Sequence, residues 1–258
     1  MVLTVNIGNT KITVGGYHAS TQVFCGCIRS DAQATADDYA IRLQGLLALY
    51  GADPANISGA IVGSVVPVLT APLLAALRRL TPVRVLTVGP GLKSGLKLCI
   101  DNPAQLGADL LCGVVAALAQ YSGPVVVISV DTALSMMAAN SRRELVGGVI
   151  LPGPQQSLSG LIQNTAQLPQ VDLHASGLST DILGKNTAAC LQSGIILGTA
   201  SLLDGMAARF AAALGPETRF FATGSLPESI RRACRTPITY QESLIADGLY
   251  AIWQRNKK

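Results

Sequence analysis

A three-strand opening occurs twice in this chain, first from Val2 and again from Val125, and each time alternating helices and strands follow it. In the first half, strands are expected near residues 2–7, 10–17 and 20–28, with an amphipathic helix over 36–50. A strand at 59–65, a helix over 67–80 and a strand at 83–88 come next. The second half has strands near 125–130, 133–139 and 144–151, then helices over 155–165 and 186–213. It ends with a strand at 219–223, a helix from Pro227, a short strand near Ile238 and a last helix over 242–254. This order predicts an α/β protein of two duplicated halves, residues 1–115 and 116–258, with a ligand cleft between them.

The tip of the first hairpin is the most telling motif. Val2-Leu3-Thr4-Val5 reads as a buried strand and Thr10 to Gly16 as its antiparallel partner, with Gly8-Asn9 making the turn. A tight turn that presents backbone N–H groups and a Thr hydroxyl suits a phosphate. Such turns also end hairpins that hold nothing, so the motif gains meaning only from the rest of the chain. Its counterpart, Asp131-Thr132-Ala133, opens the second half. Two such hairpins facing one cleft resemble the actin-like fold of the sugar kinase, Hsp70 and actin superfamily, in which paired hairpins grip a nucleotide's phosphates.

Composition narrows the class. Charged residues make up 13% of the chain, against ~25% in ordinary soluble domains, and the mean hydropathy is +0.42. The apolar stretch 110–130 is broken by Tyr121-Ser122-Gly123-Pro124 into a helix of about eleven residues and a strand, each too short for a bilayer. Pro67 and Pro72 likewise interrupt 55–77. No basic leader precedes the first strand, and the expectation is a cytoplasmic protein without membrane partners. The six cysteines form no CxxC pair and read as reduced thiols. A net charge of +4 without a basic cluster gives no reason to expect nucleic acid as a partner.

Further motifs run almost end to end. They include Ser64-Val65-Val66-Pro67, Asn102-Pro103, Gly107-Ala108-Asp109, Thr132-Ala133 and Gly147-Gly148-Val149-Ile150-Leu151-Pro152-Gly153. Thr165-Ala166-Gln167-Leu168-Pro169, Gly184-Lys185-Asn186-Thr187, Ala222-Thr223-Gly224 and Asp247-Gly248-Leu249 continue the series. In order and spacing they resemble the type III pantothenate kinases, which phosphorylate pantothenate with ATP at the start of coenzyme A synthesis. The resemblance implies ATP with Mg²⁺, a monovalent cation (K⁺ or NH₄⁺), and a dimer whose acceptor site lies at the subunit interface. It makes Asp109 the catalytic base, Gly8, Asn9 and Thr10 the first phosphate hairpin, and Thr132 an ATP contact. Gly107, Ala108, Asp109, position 110 and Thr187 become the acceptor site, although Asn186 or Thr187 would also cap a helix. Gly147-Gly148 and Pro152-Gly153 read as turn and close-approach positions.

The departures fall at ligand positions. Where the family opens its first hairpin with Asp, this chain has Asn6, which keeps the shape and loses the charge that holds Mg²⁺. The family's monovalent-cation carboxylate is Ser129, and its phosphate-approach glycine is Asp131. Asp131 is no substitute for the lost carboxylate, since residues two apart on a strand are separated by ~6–7 Å. Its charge at about 4 Å from a phosphate would cost ~1 kcal/mol in water and ~4 kcal/mol at an effective dielectric of ~20. The arginine that holds the pantothenate carboxylate is Leu110, the tyrosine before Asn-Pro is Ile100, and a glycine near the adenine is Ser225.

Three readings follow. The chain is a homologue whose own kinase activity is weak or absent, an active kinase with a drifted site, or a non-catalytic subunit paired with an intact homologue. A transcriptional role finds no DNA-binding motif. Dimerisation is expected through residues 155–165 and 186–213, which carry long uncharged runs.

Overall fold

The computed structural model describes residues 1–175 and 181–257. It divides into two compact units, Met1–Gln120 together with Ser243–Lys258, and Tyr121–Glu242.

The first unit is a five-stranded sheet of β1 (Val2–Ile7), β2 (Lys11–His18), β3 (Thr21–Arg29), β4 (Gly59–Ser64) and β5 (Val85–Thr87), in the order β3-β2-β1-β4-β5. β1, β2 and β3 form an antiparallel meander, and β4 and β5 add in parallel. Alternation along β1 sends Leu3, Val5 and Ile7 into a core with α1 (Ala36–Leu49) and α2 (Pro67–Leu80). The opposite face receives α3 (Ala108–Gln120), after a two-residue β6 (Lys97–Leu98). On that face Ile61 packs against Cys112 and Val115, and Asn6 shares it by alternation. α1 starts at a capping box: the Thr35 hydroxyl accepts from the Asp38 N–H (3.2 Å), and the Asp38 carboxylate accepts from the Thr35 N–H (2.8 Å).

The second unit repeats this plan. Its strands β7 (Val125–Val130), β8 (Ala133–Ala139), β9 (Glu144–Pro152), β10 (Arg219–Gly224) and β11 (Ile238–Tyr240) run β11-β10-β7-β8-β9. An antiparallel meander β7-β8-β9 is again extended in parallel, now by β10 and β11. α4 (Pro154–Gln163), α5 (Thr187–Leu214) and α6 (Glu228–Ala233) complete it.

The last helix, α7 (Leu244–Asn256), departs from the sequence-based division. Sequence order put it in the second half, but it packs in the first unit, with Leu249 and Ile252 against Ile61 and Val115. Gly248 lies so close to the Cys112 carbonyl that a Cβ there would overlap it. Tyr250 stacks on Tyr17 at 4.6 Å between ring centroids. The Tyr17 hydroxyl donates to Asp247 Oδ1 at 2.6 Å, and burial, reinforced by that carboxylate, holds the phenol far above its ordinary range.

Candidate active site

The first hairpin tip is tied down from outside itself. Gly8 N–H donates to the Lys11 carbonyl (3.0 Å), the Ser30 N–H to the Thr10 carbonyl (3.1 Å), and the Ser30 hydroxyl to the Gly8 carbonyl (2.6 Å). Two of the turn's acceptor groups are thus held by Ser30, while Asn9 and Thr10 stay exposed. An anion approaching the turn is spared those carbonyl dipoles. Ser30 was invisible to sequence reading, because its partners, Gly8 and Thr10, lie far earlier in the chain across a strand pair.

Asn6 sits on β1 opposite Thr13 and beside Gly63 of β4. A Cβ at Gly63 would lie 3.5 Å from the Ala108 Cβ and 3.7 Å from Asn6 Oδ1, so Asn6 and the start of α3 flank the same point. Asn6 Oδ1 is buried and has no hydrogen-bond partner.

Asp109 occupies the first turn of α3, where the helix dipole favours an anion by about 0.3–1 kcal/mol. The Gly107 carbonyl accepts from the Leu111 N–H (3.1 Å), making Gly107 the start of the helix. Asp109 Oδ1 accepts from the Leu110 N–H (2.8 Å) and would lie 2.6 Å from a Cβ at Gly107. Glycine there lets the carboxylate fold back over the helix start, near Val65. Leu110 is half-buried beside it. One turn on, burial first and the Asp109 charge second push the Cys112 thiol far above its ordinary value, so it is an inert core residue.

In the second unit, Asp131 and Thr132 form the exposed turn between β7 and β8, with the Asp131 N–H donating to the Ala133 carbonyl (2.9 Å). Gly153 N–H donates to the Thr132 carbonyl (3.1 Å), and a Cβ on Gly153 would fall 2.7–2.8 Å from the Asp131 and Thr132 carbonyl oxygens. Glycine at 153 is therefore a close-approach residue that seats the hairpin on the start of α4. Ser129 precedes the turn, half-buried, directly opposite Ser135 on β8 and Thr223 on β10. Ser225, exposed after β10, donates its N–H to the Val130 carbonyl (2.6 Å). Asn186 is the helix cap, its Oδ1 accepting from the Ala189 N–H (2.9 Å), which leaves Thr187 exposed in the first turn of α5.

Asn6, Gly8, Asn9, Thr10 and Gly107–Leu110 thus belong to the first unit, and Ser129, Thr132 and Thr187 to the second. Residues 2–209 match the type III pantothenate kinase family. The chain belongs to that family. It is 35% identical over 256 residues to the type III pantothenate kinase of Solibacter usitatus, covering 99% of this chain and 97% of the relative. The enzyme of that name from Exiguobacterium is 33% identical over 258 residues, covering 100% of both. Among solved structures, component A of Acidaminococcus fermentans (R)-2-hydroxyglutaryl-CoA dehydratase superposes with a TM-score of 0.56 at 12% identity, covering 99% of each chain. That likeness speaks for the fold alone, which is the duplicated actin-like one.

Proposed function

We propose that this chain is a pantothenate kinase homologue whose unaided transfer of phosphate from ATP to pantothenate is weak or absent. The observation that carries the reading is the buried, unpartnered Oδ1 of Asn6 beside the start of α3. A neutral amide oxygen there can accept a hydrogen bond, but it brings no charge for a hard dication. Ser129 offers only a hydroxyl, and among the described residues no three His, Cys, Asp or Glu side chains gather into a metal site. These donors do not fit a divalent cation held by the protein, and they lack the family's ligand for K⁺ or NH₄⁺.

The remaining groups divide the work unevenly. The first hairpin, fixed by Ser30, is suited to a phosphate. Asp109, at the start of α3 beside Gly107, is the acid that would orient or deprotonate an acceptor hydroxyl. Leu110 gives a carboxylate no partner, and Asp131 adds negative charge at the second hairpin. Four independent losses of only ~1.4 kcal/mol each would lower turnover about ten-thousandfold. The intact Gly107-Ala108-Asp109 geometry favours the second reading, an active kinase. A coupled assay on the purified chain separates the two. Turnover near ~1–10 per second that disappears in Asp109→Ala would establish the active kinase. Silence in the wild type, with activity gained in the triple variant Asn6→Asp, Ser129→Asp, Leu110→Arg, is the expected result.

The same proposal gives the chain a partner, either a second copy or an intact homologue. The second unit exposes the large apolar residues Val146, Ile150, Leu161, Ile182 and Leu183, and the first exposes as many, Val23, Ile41, Leu49, Tyr50 and Val68. α5 adds an exposed stripe of Gly194, Gly198, Ser201, Gly205 and Ala208, spaced four and three residues apart on one face. That smooth surface suits close approach by another helix. A dimer by light scattering at about ten micromolar is expected. Stimulation of an intact kinase upon mixing would identify the heteromeric version.

A further inference from the structure

Lys11 and Arg29 are partners across the β2–β3 ladder, two cations set directly opposite each other. Like charges so placed destabilise a sheet, and among the described residues neither forms a salt bridge. Lys11 is half-buried and Arg29 exposed. The carboxylate that follows them in the chain is already engaged. Asp31 Oδ1 accepts from the Gln33 N–H (3.0 Å) and Oδ2 from Arg42 Nη2 (3.1 Å). The Gln33 N–H first and Arg42 second hold that carboxyl below its ordinary range, and Arg29 contributes least.

Both cations stand at the first hairpin. Lys11 follows Thr10, and its carbonyl accepts from the Gly8 N–H. Arg29 precedes Ser30, whose N–H and hydroxyl hold the Thr10 and Gly8 carbonyls. Register fixes the face: Asn6 lies opposite Thr13, and Thr13 opposite Cys27. Lys11 and Arg29, each two residues along its strand, therefore share the side of the sheet that carries Asn6. An aspartate at position 6 would repel an anion that came without its metal, whereas an asparagine does not. Beside the turn is a hollow of about 580 Å³ lined by Arg29, Ser30, Asp31, Ala32 and Arg42.

We infer that the first hairpin holds a polyphosphate chain free of divalent metal, with Lys11 and Arg29 supplying the positive charge that a metal ion would bring. This rests on reading that hairpin as the phosphate cradle of a pantothenate kinase homologue. Arginine meets phosphate oxygens with a planar fork of N–H donors, and lysine adds a point charge beside it. A divalent ion on the chain would cancel the charge that these two side chains attract, so the metal-free form is the preferred ligand.

Calorimetry of the full chain with ATP and with inorganic tripolyphosphate, each in EDTA and again in excess Mg²⁺, tests the inference. Both probes should bind in EDTA with dissociation constants below about 1 mM. Excess Mg²⁺ or added salt should weaken them by about fivefold or more. Equal affinity makes the phosphate chain the whole ligand, and tighter ATP adds the nucleoside; either upholds the inference. Arg29→Glu should weaken binding by about tenfold or more. Its unfolding temperature should stay level or rise, because Lys11 gains an opposite charge across the ladder. Lys11→Gln should weaken binding by about fivefold. Tighter binding in Mg²⁺, no binding in EDTA, or an affinity unmoved by Arg29→Glu overturns the inference. A silent chain that binds neither probe defeats this inference alone. Metal-free binding together with rapid, Asp109-dependent turnover defeats the proposed function and leaves this inference standing.

Discussion

Eight of the 13 residues of α3 are buried, whereas only six of the 28 residues of α5 are. Both helices are apolar, and α5 is long and apolar enough by length and composition to cross a membrane, although just 22% of its most apolar stretch is buried. Its buried residues, among them Leu191, Ile196, Ala200, Leu203 and Ala207, form one stripe in the core of the second unit. The glycines sharpen the contrast. Gly248 of α7 has its reason inside the protomer, since any side chain would strike the Cys112 carbonyl of α3. A Cβ at Gly194, Gly198 or Gly205 of α5 would meet nothing within 4 Å. Each glycine inside a helix costs roughly 0.5–1 kcal/mol relative to alanine. Three that the chain's own packing does not require fit the partner proposed above.

The comparison breaks most readily at its buried end. Gly248→Leu should destabilise the chain by about 3 kcal/mol or more, because backbone must move to admit the side chain. Urea unfolding would read this directly, and a loss under ~1 kcal/mol would show that the α3–α7 contact is looser than described.

The mirror experiment is Gly198→Leu. Protomer stability should stay within about 1 kcal/mol or rise slightly, while the dimer dissociation constant weakens by thirtyfold or so, ~2 kcal/mol. If light scattering sees no change, the smooth face of α5 is not the interface.

The smallest effect concerns the polar anchor of α5. Burial would raise the Asp204 carboxyl, but the N–H groups of Arg235 (2.9 Å) and Thr236 (2.8 Å) outweigh it and hold the group below its ordinary value of 3.8. A carboxyl depressed in the folded state stabilises fully above its unfolded value and loses that contribution as pH falls through the folded one. Stability measured from pH 5 downward should therefore fall less steeply in Asp204→Asn.

Much of this was legible in the sequence because punctuation is local. Pro67 at the first position of α2, the Asn186 cap of α5 and the turn at Asp131-Thr132 each act within a few residues. The repeated strand order was likewise readable from period-two patterning. What escaped depended on distant chain. Ser30 acts on carbonyls across a strand pair, and Gly63 earns its place only from Asn6 and Ala108 together. A cavity beside Asn102 has Ile252 of α7 in its wall, and no local signal records the attachment of that helix to the first unit. Asp109 and Asn6 were found as motif positions, but the orphaned Oδ1 is a property of packing.

The return of α7 has a consequence for the order in which the molecule is made. β1 leaves the ribosome well before the helix that covers Ile61 and stacks on Tyr17, which follows after the entire second unit. During synthesis one face of the first sheet must wait, exposed, while Tyr121–Glu242 has all its own strands and helices to hand. The second unit can therefore be finished while the first is still open, and the nascent chain closes in the reverse of the order in which it is written.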